Sequence, residues 1–386
     1  MHPLQGIRVI EFCEVAAGPF CGMLLADMGA EIIKVERAQG DAMRSWPPIS
    51  AGYSENFASL NRGKKSVVLD LKSEEGVAAA HDLIMSADAV IENFRPGVMD
   101  RKGLGYDAMS QIKPELIYCS ISAFGQSGPR SREGGFDLTM QAMAGVMSVT
   151  GEPGGAPVKC GVPLCDFVSG LYGAFGVVSA FRTASETGKG AHLDVAMLGA
   201  TLAIGALQTS EYFGTGQDPR KLGSAHPRNA PYQAFRAADG YFGMAAGNNK
   251  LWASVCGVVD REDLVAEDRF SNPTQRAANQ TELLELLETV FVTKPVQHWL
   301  DAFAAAGVPS SPINTYSQAL GDPQVAHMGY VQDLALPNGA QTKTFGSPIL
   351  FDGAPNPIGS APPVLGANTD EVLRALREEK TVRAPA

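Results

Sequence analysis

Residues 7–36 read IRVIEFCEVAAGPFCGMLLADMGAEIIKVE, and this stretch decides the fold class. Ile7–Phe12 and Ala30–Glu36 are short runs rich in apolar and β-branched residues, which is typical of buried strands. Between them, Pro19–Met28 has proline in its first turn and Gly29 directly after its end, the usual punctuation of a helix. The order strand, helix, strand predicts a βαβ unit and therefore a parallel sheet.

The same alternation continues toward residue 122. We predict strands at Ser66–Leu71, Asp88–Glu92 and Leu116–Ser122, and an amphipathic helix at Ser73–Ser86. Because these strands are almost continuously apolar, the sheet should be covered on both faces. Ligands of such sheets lie at the carboxyl ends of the strands, so the loops after the strands are the first candidates for a site.

The composition excludes several classes of function. The 386 residues include 31 Lys and Arg against 41 Asp and Glu, a net charge of −10, so we expect neither nucleic acid nor membrane as a partner. The six cysteines and six histidines show no metal-ligand spacing, which predicts reduced thiols and no metal site. The apolar stretches Phe167–Phe181 and Val195–Ser210 are shorter than a membrane span of about 18 residues, and residues 1–6 do not resemble a signal peptide. We expect a soluble, cytoplasmic enzyme.

From Asp137 onward the pattern is mostly helical, with predicted helices at Leu138–Val149, Asp166–Ser185 and Val195–Tyr212. A segment rich in Gly, Pro and charge follows, and Asp239-Gly240 then marks a β-hairpin. The predicted organisation is a large domain in residues 1–213, a linker in 214–230, a small α+β domain in 231–325, and a segment in 326–386 that returns to the large domain.

Two features near the strand ends could bind phosphates. The turn Glu14–Gly22 opens a helix after a strand, but it lacks the GxGxxG pattern and is equally a tight turn of small residues. Basic residues also follow or precede several strands, and they either converge on a polyanion or are solvated surface charges. They are Arg37, Arg62, Lys64, Lys65, Arg95, Arg101 and Lys102.

Asp166 opens a long apolar helix, where an acidic residue is either an N-cap or an ionised nucleophile in a partly dry place. Gly170, Gly173 and Gly176 follow at intervals of three, which clears one stripe of the helix for the close approach of a ligand or a partner. The neighbouring Cys165 is interpreted as a small buried residue rather than a nucleophile.

Several motifs in a fixed order resemble the class III CoA-transferases. They are VIEF, AAGP, LADMGAEIIKVER, SLNRGKKSVVLDL, ENFRPGVMDRKGLGY, FGQSGP, FDLTMQAMAGVMSVTG and VPLCDFVSGLYG, and the resemblance runs from about residue 4 to residue 370. It implies an enzyme that moves coenzyme A (CoA) from an acyl-CoA to a small carboxylic or dicarboxylic acid. It further implies CoA as a substrate, no tightly bound cofactor, and an interlocked, ring-threaded homodimer with a Rossmann-like large domain.

The resemblance also implies roles for individual residues. Asp166 stands at the family's acylated nucleophile, and Ala16 and Ala17 lie where the family's backbone approaches the thioester. The remaining matches are CoA contacts: Arg37 and Arg101 for phosphates, Leu60, Lys64 and Asn93 for the adenine and ribose-phosphate part, and Asp137 nearby.

Two departures from related sequences bear on the substrate. Phe136 stands where the related acyl-CoA racemases have a histidine base, and an acyl-CoA racemase of the same superfamily is the alternative function. The segment Ala245–Asn249 lacks the glycine-rich tract of formyl-CoA transferases, which argues against formate and oxalate. The region after Gly223 resembles most the branch that uses succinyl-CoA and small dicarboxylic acids.

Overall fold

The computed structural model describes residues 2–383, which form two compact units. Unit 1 takes in the chain up to Val146, Lys159–Gly216 and the chain from Pro323 onward. Unit 2 takes in Met147–Val158 and Gln217–Asp322. The domain limits predicted from the sequence stay a prediction.

Unit 1 is built on a six-stranded parallel sheet. The strands up to residue 196 are β1 (Arg8–Phe12), β2 (Glu31–Glu36), β3 (Ile49–Ser50), β4 (Tyr53–Ser54), β5 (Lys64–Val68), β6 (Ala89–Glu92), β7 (Ile117–Ser122) and β8 (His192–Ala196). The sheet has the order β5-β2-β1-β6-β7-β8, and Ile10 of β1 pairs with both Ile33 and Val90. The predicted parallel sheet is confirmed, whereas Val195 and Ala196, predicted as the start of a helix, end strand β8.

The helices in this part of the chain are α1 (Ala17–Asp27), α2 (Glu55–Asn61), α3 (Glu74–Ser86), α4 (Tyr106–Ile112), α5 (Asp137–Met143), α6 (Val146–Val149), α7 (Leu164–Thr187), α8 (Met197–Ile204) and α9 (Ala206–Thr215), with 3₁₀ turns at Ala42–Ser45 and Asp100–Lys102. Helix α6 begins with the last residue of a segment of unit 1, and its other residues belong to unit 2. The single helix predicted over Val195–Tyr212 is therefore wrong. The chain forms the end of β8 and then two helices that meet at Gly205.

Both faces of the sheet carry a hydrophobic core, as the apolar runs predicted. Ile10 and Phe12 of β1 pack with Leu83 of α3 on one face. Val9, one residue along the strand, packs with Val177 of α7 on the other face. Successive side chains of a strand point to opposite faces, so continuous apolar residues serve both cores at once.

The glycine stripe of α7 packs against other elements of the same chain. A Cβ added to Gly170 would lie 2.5 Å from the carbonyl oxygen of Ala17 in α1, and one added to Gly173 would lie 3.1 Å from the sulfur of Cys21. The stripe therefore accommodates α1 and the sheet, and not a ligand or a second chain. This close packing fixes the start of α7 next to the start of α1.

Helix α7 is also, within residues 2–383, the one helix that is long and apolar enough to span a membrane by length and composition. It has 24 residues, more than the apolar stretch recognised in the sequence. One side of it packs on α1 and on β7, and Ala174 and Val177 are buried in the core of unit 1. In this structure it is a packed helix of the α/β unit.

Unit 2 has a three-stranded antiparallel sheet with helices around an aromatic core. Its elements are β9 (Tyr232–Arg236), β10 (Tyr241–Ala245), α10 (Asn249–Val258), α11 (Pro273–Ala278), α12 (Gln280–Phe291), α13 (Val296–Ala305), β11 (Ser310–Pro312) and α14 (Tyr316–Leu320), with 3₁₀ turns at Glu262–Val265 and Asp268–Phe270. The predicted hairpin is confirmed, since Tyr241 pairs with Arg236. Its connection has four residues, closed by a hydrogen bond from Ala237 N to Gly240 O, rather than two.

The chain then returns to unit 1 and packs against its sheet. The elements are α15 (Pro323–His327), β12 (Val331–Ala335), β13 (Gln341–Phe345), β14 (Leu350–Phe351), β15 (Ala354–Pro355) and α16 (Thr369–Arg383). Val372 and Leu376 of α16 are buried in the core beside α3. The backbone N–H of Val68 in β5 donates to Thr369 Oγ1, which ties α16 to the edge of the sheet.

Candidate active site

A cavity of about 380 Å³ opens at the carboxyl ends of β1 and β6. These strands are neighbours in the sheet, and the chain runs outward from them in opposite directions, toward β5 and toward β8. Such a switch point is where ligands of open parallel sheets bind. The lining comprises Glu14–Ala17, Asn93–Pro96, Ile121–Ala123, Glu133–Phe136, Asp166 and Met197.

The loop after β1 is held in a strained shape. Val15 has a φ of 67°, a left-handed conformation that a β-branched residue rarely adopts. Its N–H group lies 3.2 Å from each carboxylate oxygen of Asp41, which is 2% exposed and also lies 2.9 Å from Lys34 Nζ. The buried carboxylate thus offsets a strain of about 1–3 kcal/mol and fixes the wall of the cavity.

Asn93 holds the same loop from the other side. Its Oδ1 accepts a hydrogen bond from the N–H of Glu14 at 3.0 Å, and its Nδ2 donates to the carbonyl oxygen of Glu14 at 2.9 Å. Asn93 lies in the wall of this cavity, and its amide group pairs with backbone. Its position relative to CoA stays a prediction, and its geometry here is that of a residue that positions the loop.

Ala16 and Ala17 stand at the start of α1 in the same wall. Ala16 is the N-cap and supplies no side-chain hydrogen bond, so the first N–H groups of the helix have no side-chain cap. These groups and the positive end of the helix dipole favour negative charge in the cavity. Gly18 allows this tight turn, because a Cβ there would lie 2.3 Å from the sulfur of Cys13.

Asp166 lies in the first turn of α7 and lines the cavity. The N-cap is Pro163, so the interpretation of Asp166 as an N-cap is wrong. Within residues 2–383 its carboxylate has neither a hydrogen bond nor an ion pair. Burial first, and then the negative charge of Asp137, raise the pKa of Asp166 to about 6. The group is therefore mostly ionised at neutral pH and is open to the cavity.

Asp137 begins α5 and is tied to the start of α7. One carboxylate oxygen accepts from the N–H of Cys165 at 2.9 Å, and the other accepts from Gln141 Nε2 at 2.7 Å. Asp137 thus supports the first turn that carries Asp166. Burial raises the pKa of Cys165 to about 11, so its thiol is protonated at neutral pH and a nucleophilic role is not supported.

A second cavity of about 560 Å³ lies where α3 begins and where the segment after β6 ends. Arg101 lines it together with Lys72 and Lys102. Ser73 caps α3 by accepting a hydrogen bond from Gly76 N. Lys72 was not selected from the sequence, although it follows strand β5 at its carboxyl end, the same signal that selected Arg37 and Arg101.

The other predicted CoA contacts lie apart from this cavity. The Arg37 side chain is largely exposed, and its Nε lies 3.4 Å from Glu14 Oε1 at the rim of the first cavity. Lys64 is buried, and its ammonium group donates to Glu11, to the carbonyl oxygen of Pro19 and to Asn61 at 2.8, 2.9 and 3.1 Å. Leu60 is buried beside Phe57. Lys64 lies at the amino end of β5, opposite to the ligand-binding end, and neither Lys64 nor Leu60 lines either of these two cavities.

The contacts of His226 in unit 2 are those of a residue that stabilises a turn. Its ring stacks on Tyr232 at a centroid distance of 5.0 Å, and its Nδ1 accepts from the N–H groups of Arg228 and Asn229. Burial and then the charge of Arg228 lower the pKa of His226. The ring is neutral at pH 7 and shapes the turn before β9.

Comparison of the sequence and the fold with known proteins assigns the chain to a family of enzymes. The profile of CoA-transferase family III matches residues 4–369, and the chain belongs to this family. The structure resembles that of a CAIB/BAIF family protein from Brucella suis, with 37% identity, a TM-score of 0.86, and coverage of 97% of this chain and 99% of that one. A hypothetical protein from Mycobacterium tuberculosis is similar, with 31% identity, a TM-score of 0.85 and coverage of 97% and 99%.

Among characterised proteins, the chain is similar to enzymes that act on dicarboxylic acids. Succinate–glutarate CoA-transferase of Agrobacterium fabrum is 36% identical over 99% of this chain and 98% of that protein. Succinyl-CoA:glutarate CoA-transferase of Homo sapiens is 35% identical over 97% and 86%. Succinyl-CoA:mesaconate CoA-transferase of Haloarcula hispanica is 36% identical over 94% and 93%.

Proposed function

We propose that this protein transfers CoA from succinyl-CoA or a similar acyl-CoA to a small dicarboxylic acid, with Asp166 as the covalent nucleophile. The observation that carries the proposal is the unpartnered carboxylate of Asp166 in a cavity at the switch point of the sheet. The names of its relatives support dicarboxylic acids as substrates. Phe136, which lines the cavity, has no titratable group and gives no support to a racemase.

In the proposed cycle, a carboxylate oxygen of Asp166 attacks the carbonyl carbon of the thioester and CoA leaves as the thiolate. The resulting mixed anhydride is attacked by the thiolate at the aspartyl carbonyl, which releases the donor acid and leaves an aspartyl-CoA thioester. The acceptor carboxylate then attacks the carbonyl carbon of the aspartyl-CoA thioester, which expels the CoA thiolate and forms a second anhydride. The thiolate attacks the acceptor acyl carbon of this anhydride, which gives the new acyl-CoA and releases the free carboxylate of Asp166. The N–H groups at the start of α1, which have no side-chain cap, are proposed to stabilise the oxyanions of these steps.

The CoA part is proposed to lie along the loops after β1, β2, β5 and β6. Arg37 and Arg101 remain our candidates for its phosphates, and Lys72 joins them from the second cavity. Ala16, Ala17 and Asp137 are proposed to surround the thioester. Lys64 and Leu60 are left out because their side chains are occupied within the protein. CoA is a substrate in this scheme, and no bound cofactor is required. A cytoplasmic location is in keeping with six free cysteines.

The function is tested by following CoA products by mass spectrometry. The purified protein is incubated with succinyl-CoA or acetyl-CoA and with a panel of mono- and dicarboxylic acids. We expect a new thioester with at least one four- or five-carbon dicarboxylic acid, together with free succinate from succinyl-CoA. If no pair of substrates yields a new thioester, the proposed function is wrong.

The pKa of Asp166 predicts the pH dependence of the reaction. Since the carboxylate is the nucleophilic form and the pKa is raised to about 6, kcat/KM should fall as the pH decreases through about 6. In Asp137→Asn, the neighbouring negative charge is lost and the midpoint should move to lower pH. The measurement is kcat/KM for succinyl-CoA between pH 4.5 and 8.5. The control Asp301→Asn, a change in unit 2, should keep the parent midpoint; an unshifted Asp137→Asn profile would contradict the assignment.

We further propose that a second copy of the chain covers the exposed side of α5 and α7–α9, as the interlocked dimer requires. Large apolar side chains are exposed there although they belong to a well-packed unit: Phe136, Leu138, Met143, Leu171, Tyr172, Phe175, Val178, Leu202, Ile204, Leu207, Tyr212 and Phe213. Many exposed apolar side chains on neighbouring helices are typical of a protein–protein interface.

Light scattering during size-exclusion chromatography tests the dimer. We expect the parent to have twice the molar mass of one chain. Phe175→Asp places a charge on a side chain that is 68% exposed in the single chain, so it should give monomer or a large loss of soluble protein. Ile112→Asp, a similar change at an exposed site on α4, should stay dimeric. A monomeric parent would refute the dimer.

A further inference from the structure

Among the described residues that line the candidate active-site cavity, one side chain is cationic. Among its lining residues, three carboxylates belong to Glu14, Glu133 and Asp166, and the positive charge is that of Arg95. Glu14 pairs with Arg37, and Glu133 pairs with Arg130, both of them outside the lining. Apart from the N–H groups at the start of α1, which the proposed function uses for oxyanions, Arg95 is thus the group among the described lining residues that attracts a second substrate carboxylate.

Arg95 is available to a ligand. It is an exposed residue, and within the part of the chain that the structure describes its guanidinium forms no hydrogen bond and no ion pair. One side of the guanidinium lies against Gly134, where an added Cβ would be 3.1 Å from Nη2. Gly134 thus leaves room for the side chain at the edge of the cavity, and its five N–H donors remain free.

Arg95 is also separate from the proposed nucleophile. The two side chains line the same cavity but form no ion pair, and the raised pKa of Asp166 shows no compensation by a neighbouring cation. A dicarboxylic acid has two carboxyl groups at a distance set by its carbon chain. One of them must reach Asp166, and the other then needs a cation elsewhere in the cavity.

We propose that Arg95 binds the distal carboxylate of the dicarboxylic acyl group and so selects dicarboxylic over monocarboxylic substrates. This inference rests on the proposed function. The planar guanidinium can bind a carboxylate through two parallel N–H···O bonds, which a methyl group in the same place cannot accept. Selectivity then arises because only the charged end of the substrate satisfies Arg95.

Two thioesters that differ only at their far end provide the test. Succinyl-CoA ends in a carboxylate and butanoyl-CoA ends in a methyl group, while their CoA parts are identical. In Arg95→Met, kcat/KM for succinyl-CoA should fall by about 10- to 100-fold. The value for butanoyl-CoA should change by less than about threefold, and if its turnover is too slow to follow, its inhibition constant against succinyl-CoA should stay the same. Arg95→Lys should recover part of the loss, because it keeps the charge but not the planar fork.

The controls separate this role from others. Arg132→Met removes an exposed arginine from the connection between β7 and α5, next to Glu133 of the cavity lining, and should leave the turnover of both thioesters unaffected. An equal loss for both thioesters in Arg95→Met would assign Arg95 to the CoA part and overturn the inference, as would no loss at all. A parent protein that transfers CoA to no acid would instead refute the proposed function on which the inference rests.

Discussion

Replacing Asp166 by alanine should lower CoA transfer by at least about a thousandfold, because the proposed pathway has no other group that can form the aspartyl anhydride. The same change should increase stability. The folded state raises the pKa of this carboxyl to about 6, so ionising it above that pH is unfavourable in the folded protein. We therefore expect the free energy of unfolding of Asp166→Ala at pH 8 to rise by about 1–2 kcal/mol.

The two readouts together exclude a trivial explanation by misfolding. Turnover is measured from CoA products, and stability from urea unfolding at pH 8 and at pH 4.5. The stability gain of Asp166→Ala should shrink as the pH falls through about 6, because the carboxyl of the folded parent is then protonated and no longer carries the cost of a buried charge. Hydroxylamine trapping of the parent with succinyl-CoA should modify the peptide that contains Asp166. Glu186→Ala, at the other end of α7, serves as the control. Turnover in Asp166→Ala within tenfold of the parent would rule out the nucleophile.

Replacing Lys64 by methionine should destabilise the protein by about 3–5 kcal/mol, since it breaks a buried ion pair by removing one partner. Glu11 has no exposed surface and is paired with Lys34 at 3.1 Å and with Lys64 at 2.8 Å. Without Lys64, the carboxylate of Glu11 keeps only one cation, and the oxygens of Pro19 and Asn61 lose their donor. The measurement is the free energy of unfolding in urea, with the KM for succinyl-CoA determined at a temperature where the variant is folded.

The neighbouring Lys65 is a matched control. It is partly exposed and forms ion pairs with Glu31 and Glu371 at 3.0 and 3.1 Å. Surface pairs of this kind contribute about 0–1 kcal/mol, so Lys65→Met should change stability little. A Lys64→Met variant that is as stable as the parent but has a strongly raised KM for succinyl-CoA would restore the role in CoA binding that the sequence suggested.

Asp166 and Lys64 show how much of the candidate site could be predicted from the sequence. The start of a long apolar helix marked Asp166, and five of the six parallel strands were visible as apolar runs. Strand β8 was missed, although HLDVA alternates polar and apolar residues, because it passes without glycine or proline into α8. The strand predicted at Ser66–Leu71 is β5 at Lys64–Val68, so Lys64 is the first residue of the strand and not part of the loop before it. Lys72 was overlooked although it directly follows the predicted strand. The role of Lys64 in binding CoA stays a prediction.

Contacts between distant parts of the chain could not be predicted. The charge of Asp137 raises the pKa of Asp166, and the carboxylate of Asp41 accepts a hydrogen bond from Val15, only because the fold brings separate parts of the chain together. A pKa shift or a φ angle of this kind has no signal in the local sequence, since Val15 is an ordinary strand residue by its propensity. The free guanidinium of Arg95 likewise became distinctive only when its neighbours in the cavity were known.

The loop that contains the left-handed Val15 loses its conformational entropy when the protein folds and not when the substrate binds. Asp41 and Asn93 hold the loop in one conformation through hydrogen bonds within the protein, so its conformational freedom is given up once, during folding. An acyl-CoA that arrives at the cavity meets N–H groups already in place and does not have to order them again in each catalytic cycle. Association with substrate should therefore show little entropic penalty from this wall, and the loop should have the same shape before and after the substrate is bound.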